Sequence, residues 1–141
     1  MKKLATTATA ILLIIFLIMG CDKYHRDRYI GDWDFVTNKC TYVYNNDLQE
    51  WSPIEYDTIY YTGKIAPGNL EYELIIQYTN NDIIDAHIDE DGTTLWTDAY
   101  PCARCSSGSF EKKNKVYLNL VFNKQDKKIN DHINGIKKSK K

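Results

Sequence analysis

After its first twenty residues the sequence lacks any stretch of apolar residues at helical spacing long enough for a helix of ordinary length. It also lacks the patterns that mark common catalytic sites: there is no GxSxG, no HExxH and no phosphate-binding glycine loop. No serine, histidine and acid combine into a recognisable triad. These absences argue against a helical fold, and we expect a protein that is not an enzyme and that carries no resident cofactor or metal ion.

Acidic residues are concentrated around one predicted turn. Asp89-Glu90-Asp91-Gly92 resembles the start of a calcium loop, but the spaced oxygen ligands and the closing glutamate of an EF-hand are absent. Asp91-Gly92 instead supplies the residue types that a tight hairpin requires. The paired carboxylates elsewhere are not brought together by sequence alone, so no glycosidase-type site is predicted from them.

The amino-terminal segment reads as an export signal. Lys2 and Lys3 precede an apolar block from Ile11 to Met19, and charged residues follow immediately after Cys21. The block is shorter than the roughly 20 apolar residues that span a bilayer. A positively charged start followed by a short apolar block is typical of a secretory signal. We therefore predict a signal helix over residues 1–20.

The end of this segment, Ile18-Met19-Gly20-Cys21, resembles the lipobox of bacterial lipoproteins. The resemblance implies cleavage before Cys21, lipidation of its thiol and a membrane-anchored protein of the bacterial envelope, either periplasmic or surface-exposed. The alternatives are an ordinary secreted protein and an uncleaved signal anchor. The predicted organisation is a signal peptide (1–20), a lipidated tether (21–28), a β domain (29–136) and a Lys-rich tail (137–141).

Charge is distributed unevenly along the chain. Although the whole chain holds 18 basic and 19 acidic residues, ten lysines lie from Lys112 onward against only Asp126 and Asp131. Such a basic end suits anionic lipid headgroups or nucleic acid. Because an exported chain rarely meets nucleic acid, we predict a solvated role for these lysines and no nucleic-acid partner.

Alternating apolar and polar residues predict β-strands. The pattern is clearest over residues 70–79, 84–88 and 115–122. Further strands are predicted over 56–65 and 109–112, with turns at Pro67-Gly68-Asn69, at Asp91-Gly92 and at Asn114. The fold class is therefore all-β: a single small antiparallel meander, closed as a barrel or folded as a sandwich.

The first predicted strand, over residues 29–35, contains Gly31-Asp32-Trp33. This glycine and tryptophan resemble the opening strand of lipocalin-like proteins, which implies a barrel whose indole plugs one end. In that family a basic residue near the last strand lies against the tryptophan, a role that only Lys137 or Lys138 could fill here. The aromatic residues suit a pleated, half-buried surface.

Three cysteines remain besides Cys21. Cys102 and Cys105 form a CxxC motif after Tyr100-Pro101 in a loop context, and Cys40 lies in an early strand. Exported cysteines usually oxidise, so we predict a structural disulfide, with a bridge from Cys40 to Cys102 or Cys105 favoured. The alternative is a thiol-redox site, or a metal site completed by Cys40 and one of His25, His87 or His132.

We therefore expect an envelope protein that binds a small apolar ligand, a glycan or a protein partner, with Cys21 holding it to membrane lipid. Binding of a small ligand inside the domain and binding of a partner at its surface predict different interiors. A ligand cavity would be lined by Trp33, Phe35, Leu74, Ile76, Leu118 and Leu120. A filled interior would favour a partner bound at the outer surface.

Overall fold

The structure, a computed structural model, describes residues 25–97, 107–124 and 126–139. A short 3-10 helix, Arg26–Tyr29, precedes the strands. The strands are β1 (Gly31–Asn45), β2 (Glu50–Pro67), β3 (Glu73–Gln77), β4 (Ile83–Ile88), β5 (Thr94–Thr97), β6 (Ser107–Glu111), β7 (Lys115–Lys124) and β8 (Lys127–Lys137). Cys21, Cys102 and Cys105 lie outside the described residues.

These strands form a closed eight-stranded antiparallel barrel in which each strand pairs with its sequence neighbours. β1 closes the barrel against β8, from Trp33 opposite Lys137 to Val43 opposite Lys127. Closure removes most sheet edges and leaves one side of every strand facing a common interior. The all-β prediction is confirmed, and of its two architectures the barrel is the one observed.

The core fills the barrel with the inward members of the alternating pattern. Leu74 and Ile76 of β3 are fully buried, as are Val116 and Leu120 of β7. One contiguous cluster contains all six residues expected to line a ligand cavity: Trp33, Phe35, Leu74, Ile76, Leu118 and Leu120. These side chains pack against one another as a core.

The 3-10 helix caps one end of the barrel, called here the capped end. The Tyr29 ring stacks on Phe110 at 3.5 Å between centroids, and the Tyr29 hydroxyl donates to the Gly92 carbonyl at 2.7 Å. Trp33, fully buried, donates its indole N–H to the Tyr29 carbonyl. The ordered fold therefore begins before Tyr29, within the segment predicted as a tether.

Element boundaries differ from the sequence-based ones at several strands: β1 covers Gly31–Asn45 rather than 29–35, and β6 covers Ser107–Glu111 rather than 109–112. β3 starts at Glu73 rather than Leu70, because the Glu73 amide donates to the Leu70 carbonyl and forms a turn. β2 is much longer than predicted, at 18 residues, and β8 includes Lys137, which was assigned to the tail. The Asp91-Gly92 turn is confirmed, with Gly92 at a φ of 67°.

Candidate functional site

The second strand presents a long edge without a strand partner among the described residues. β2 pairs with β1 along its whole length, from Glu50 to Ile65. On its other side it pairs with β3 only over Lys64–Pro67. Residues 50–63 therefore leave every second backbone N–H and C=O free of strand pairing on that side.

Local packing explains why β3 stops short of this edge. A Cβ placed on Gly63 would lie 1.9 Å from the Gln77 carbonyl oxygen, so the two backbones meet more closely than any side chain allows. Beyond Gln77 the chain turns, and the Tyr78 amide donates to the Asp82 carbonyl at 3.2 Å. Thr79 accepts from the Asp82 amide and fixes the turn. The chain thus leaves the sheet before it can cover residues 50–62.

The outer face beside this edge is aromatic and uncharged. Tyr56 and Tyr60 project from β2 with 74% and 77% of their surface exposed. Opposite them on β1 are Cys40 and Val36, respectively. Tyrosine-rich surface with few charges is typical of the centre of protein interfaces. We call residues 50–63, with their outer face, the β2 surface.

The tip of the β1–β2 hairpin adds apolar area to the β2 surface. Tyr44 and Trp51 meet edge to face at 5.4 Å between ring centroids. Ile54, which is 59% exposed, lies at a register shift between Thr41 and Tyr42. A bulge of this kind bends the strands and re-aims their side chains. Aromatic side chains therefore run from the tip to the middle of β2.

Acidic side chains give the same edge a single sign of charge. Glu50, Glu55 and Asp57 are exposed on β2, and residues 50–63 contain no lysine or arginine. Asp57 lies opposite Lys39 in the register and shares its face, which is the one turned toward the barrel axis. Any strand added here would meet carboxylates on its inner face and tyrosines on its outer face.

Cys40 lies on the outer wall of the barrel between β2 and β8. It is buried, 7% exposed, and forms no disulfide within the described part of the chain. A hydrogen bond with Cys40 raises the pKa of Tyr42 and that of Tyr56. Its predicted bridge to Cys102 or Cys105 remains a prediction, because neither of these lies in the described part of the chain.

A buried polar network lies where the apolar core ends. Asp131 is 1% exposed and accepts from the Tyr78 hydroxyl at 3.1 Å. Lys39 Nζ lies 3.9 Å from the Asp131 carboxylate and 3.4 Å from that of Asp82. Burial raises the pKa of Asp131, and the Lys39 ammonium opposes this rise. Asp131 Oδ1 has no hydrogen-bond partner among the described residues.

A cavity of about 550 Å³ lies partly over the outer face of β3 and β4. His87 is in its wall, with the Trp96 ring at 4.2 Å and the Tyr72 ring at 5.4 Å between centroids. The Glu73 carboxylate is 3.8 Å from His87 Nε2. His87 lies on the outer face of β4, but its side chain is largely covered by its neighbours.

Within the described ranges, no three histidine, cysteine, aspartate or glutamate side chains come together as a metal site would require. In the same part of the chain, no helix has the length and apolar character needed to cross a bilayer.

The β2 surface could not be predicted from the sequence. The alternating pattern predicts a strand only over 56–65, because the alternation fails where Ser52-Pro53-Ile54 form the bulge. An unpaired edge depends on where the neighbouring strand ends, and the sequence of the edge strand itself does not predict that end.

Comparison with known proteins gives the chain no relatives: no family model matches it, and searches of curated proteins and of solved structures find no significant match.

Proposed function

We propose that this chain is a lipid-anchored protein of the bacterial envelope that binds an extended segment of a partner protein at the β2 surface. The single observation that carries the binding function is the unpaired edge over residues 50–63. Among the described residues this is the longest strand edge without a partner, so it offers the longest run of unpaired backbone hydrogen-bonding groups.

Strand addition explains how such an edge would bind. An extended segment beside β2 would receive main-chain hydrogen bonds along its length, and its alternate side chains would face opposite sides of the sheet. On the outer side they would contact Tyr56 and Tyr60, and on the inner side Glu55 and Asp57. Specificity would follow from those side chains, since the main-chain bonds are the same for every sequence.

The acidic residues favour a basic partner over a second copy of this chain. Two β2 strands paired antiparallel around Asp57 would place Asp57 opposite itself, and a register shift of two residues would place Glu55 opposite Asp57. Like charges directly opposite destabilise a strand pair, and inward-pointing charges are a common protection against edge-to-edge association. Lysines at alternate positions of the added segment would instead pair with the carboxylates.

The packed interior supports binding at the surface over capture of an apolar ligand in the barrel. Trp33, Leu74, Ile76 and Leu120 are fully buried in the core cluster. The two cavities described are bounded mainly by other residues, with only Leu118 of the predicted lining in the second.

Peptides test the proposed binding directly. The probe is an eleven-residue peptide that alternates lysine with valine and threonine, and the control peptide has glutamate at each lysine position. We expect the lysine peptide to bind at least about tenfold more tightly, a difference of about 1.4 kcal/mol. Hydrogen exchange should slow at amides within residues 50–63.

Charge reversal supplies the matched control. Glu55→Lys with Asp57→Lys should reverse the peptide preference. Asp89→Lys with Glu90→Lys makes the same change in charge on the β4–β5 turn and should leave the preference unchanged. Absence of binding by both peptides, or equal effects of the two double variants, would overturn the proposal.

The anchor is tested separately. Metabolic labelling with a fatty-acid analogue should mark the wild-type chain, whereas Cys21→Ser should remain unlabelled and at precursor length. Label that persists on Cys21→Ser would rule out the proposed lipidation site.

A further inference from the structure

The capped end of the barrel carries basic side chains that are dispersed in the sequence. Lys112 and Lys113 belong to the β6–β7 turn, and Lys137 and Lys138 lie at the end of β8, beside the 3-10 helix. Together with Lys115, at the start of β7, they form what we call the basic sector.

Hydrogen bonds hold these three segments together. The Lys137 amide donates to the Asn114 carbonyl at 2.9 Å, which joins β8 to the β6–β7 turn. Lys137 Nζ donates to the Arg28 carbonyl at 2.6 Å, which joins β8 to the 3-10 helix. The basic sector is therefore a fixed part of the barrel end, and its charges keep their positions relative to the core.

The sector retains a positive balance after its acidic neighbours are counted. Asp32, Asp34 and Glu111 lie beside its five lysines, and Lys115 pairs with Glu111 at 3.6 Å. Lys138 pairs with Asp34 at 3.4 Å, with both side chains about half exposed, and such surface pairs are weak. Lys112 and Lys113 are exposed. Lys140 and Lys141 follow within three residues of Lys138.

The opposite part of the same end is acidic. Glu71 lies in the β2–β3 turn, and Asp89, Glu90 and Asp91 lie in the β4–β5 turn. These four carboxylates outnumber the two arginines bonded to the same turns, Arg26 to the Leu70 carbonyl and Arg28 to the Gly92 carbonyl. The capped end is thus divided by charge, and an anionic surface would attract one side of it and repel the other. Contact with such a surface would tilt the barrel toward β7 and β8.

Chain length brings this end to the membrane if Cys21 carries lipid. Cys21 and His25 are separated by four residue steps, which span at most about 14 Å when extended. Electrostatic attraction extends over about 8 Å at physiological ionic strength. The proposed tether is therefore short enough to let the capped end reach the headgroups and to keep it near them.

We infer that the basic sector docks on the anionic phospholipid headgroups of the membrane, which orients the barrel with the hairpin tip and the β2 surface directed away from the bilayer. The orientation rests on the proposed lipid anchor, whereas the affinity of the sector for headgroups does not. Clustered lysines beside a membrane attachment point are a known source of attraction to anionic lipid.

The experiment uses the mature chain from residue 22 onward, which lacks the lipidated cysteine but contains every described element, including the closed barrel, its core and its cap. Cosedimentation is measured with vesicles of phosphatidylcholine alone and with vesicles containing about one-third phosphatidylglycerol. We expect binding only to the anionic vesicles, falling steeply with added salt.

Two triple variants carry equal changes in charge. Lys112→Gln, Lys113→Gln and Lys138→Gln should weaken binding at least about tenfold, whereas Lys124→Gln, Lys127→Gln and Lys128→Gln, at the opposite end, should change it less than about twofold. No binding by the parent chain, or equal loss in both triple variants, overturns the inference. Because the chain tested carries no lipid and no peptide is present, failure here leaves the lipidation and strand-addition tests unaffected.

Discussion

The Tyr78 hydroxyl donates to the Asp131 carboxylate at 3.1 Å, at the point where the apolar interior of the barrel gives way to polar side chains. Both residues are 1% exposed. Burial raises the pKa of Tyr78, so the phenol keeps its proton and remains a donor at every physiological pH. The turn that follows β3 positions the Tyr78 hydroxyl beside Asp131. Because β3 ends at the same turn, it does not pair with the rest of β2.

Loss of this donor should destabilise the fold. Tyr78→Phe leaves Asp131 Oδ2 without its phenolic partner, and a hydrogen bond to a charged group contributes about 1.5–3 kcal/mol. Denaturant unfolding should show a loss of this size. Tyr60→Phe, at a position 77% exposed, is the control and should have little effect. Equal stability of the two variants would contradict the role assigned to the Tyr78 hydroxyl.

Asp131 should make stability depend on pH in a defined direction. Its folded pKa is raised, chiefly by burial, so the folded state holds the proton to a higher pH than the unfolded state. Its contribution to stability should be greatest below about pH 3.9, the ordinary value for aspartate, and should fall as pH rises through the folded pKa. Asp131→Asn removes this contribution. The difference in unfolding free energy between wild type and Asp131→Asn should therefore change with pH. A difference that stays constant with pH would contradict the raised pKa of Asp131 in the folded state.

Gly63 should tolerate no side chain. The Cβ of an alanine there would lie 1.9 Å from the Gln77 carbonyl oxygen, a backbone atom that cannot rotate away. We expect Gly63→Ala to cost about 3 kcal/mol, at the upper end of the overpacking range. Lys64→Ala, at the next and exposed position of β2, should cost far less. Thermal and denaturant unfolding measure the stability of both variants. Similar stabilities would contradict the close approach of the Gly63 and Gln77 backbones.

The Cys40 thiol should react slowly with alkylating reagents in the folded protein, because the side chain is 7% exposed. Tyr56→Ala removes the tyrosine opposite Cys40 and should accelerate alkylation by about tenfold or more. A tenfold increase corresponds to lowering the free energy needed to expose the thiol by about 1.4 kcal/mol. Peptide mapping under non-reducing conditions shows whether Cys40 is a free thiol or part of a disulfide. Recovery of Cys40 bridged to Cys102 or Cys105 would support the sequence-based pairing over a free thiol.

Much of the fold could be predicted because its information is local. The inward positions of β7, from Val116 to Leu120, alternate strictly with outward ones, and every second side chain of a strand must face the same side. The Asp91 carboxylate accepts from the Thr93 and Thr94 amides at 2.7 Å. The side-chain hydrogen bond from Thr94 contributes most to lowering the Asp91 pKa to about 2. Four consecutive residues suffice to specify such a turn.

Trp33 illustrates a prediction that only packing could complete. Its place in the first strand followed from Gly31-Asp32-Trp33, and the structure buries the indole at the capped end, with Lys137 opposite in the register. The indole N–H donates to the Tyr29 carbonyl, which belongs to a 3-10 helix. No alternating pattern in the sequence predicts that helix. The lysine-rich composition of residues 137–141 predicts a tail there, whereas β8 continues through Lys137.

The sequence by itself determined the all-β class, the turn at Gly92 and the inward faces of the clearest strands, because each depends on residues adjacent in the chain. The tertiary structure decided that the sheet closes between β1 and β8, that the interior is packed, and that β2 extends beyond β3. It also brought the lysines of the β6–β7 turn and of the chain end to one side of the capped end. These outcomes depend on register and on where neighbouring strands stop, which are relations between distant segments that no local pattern records.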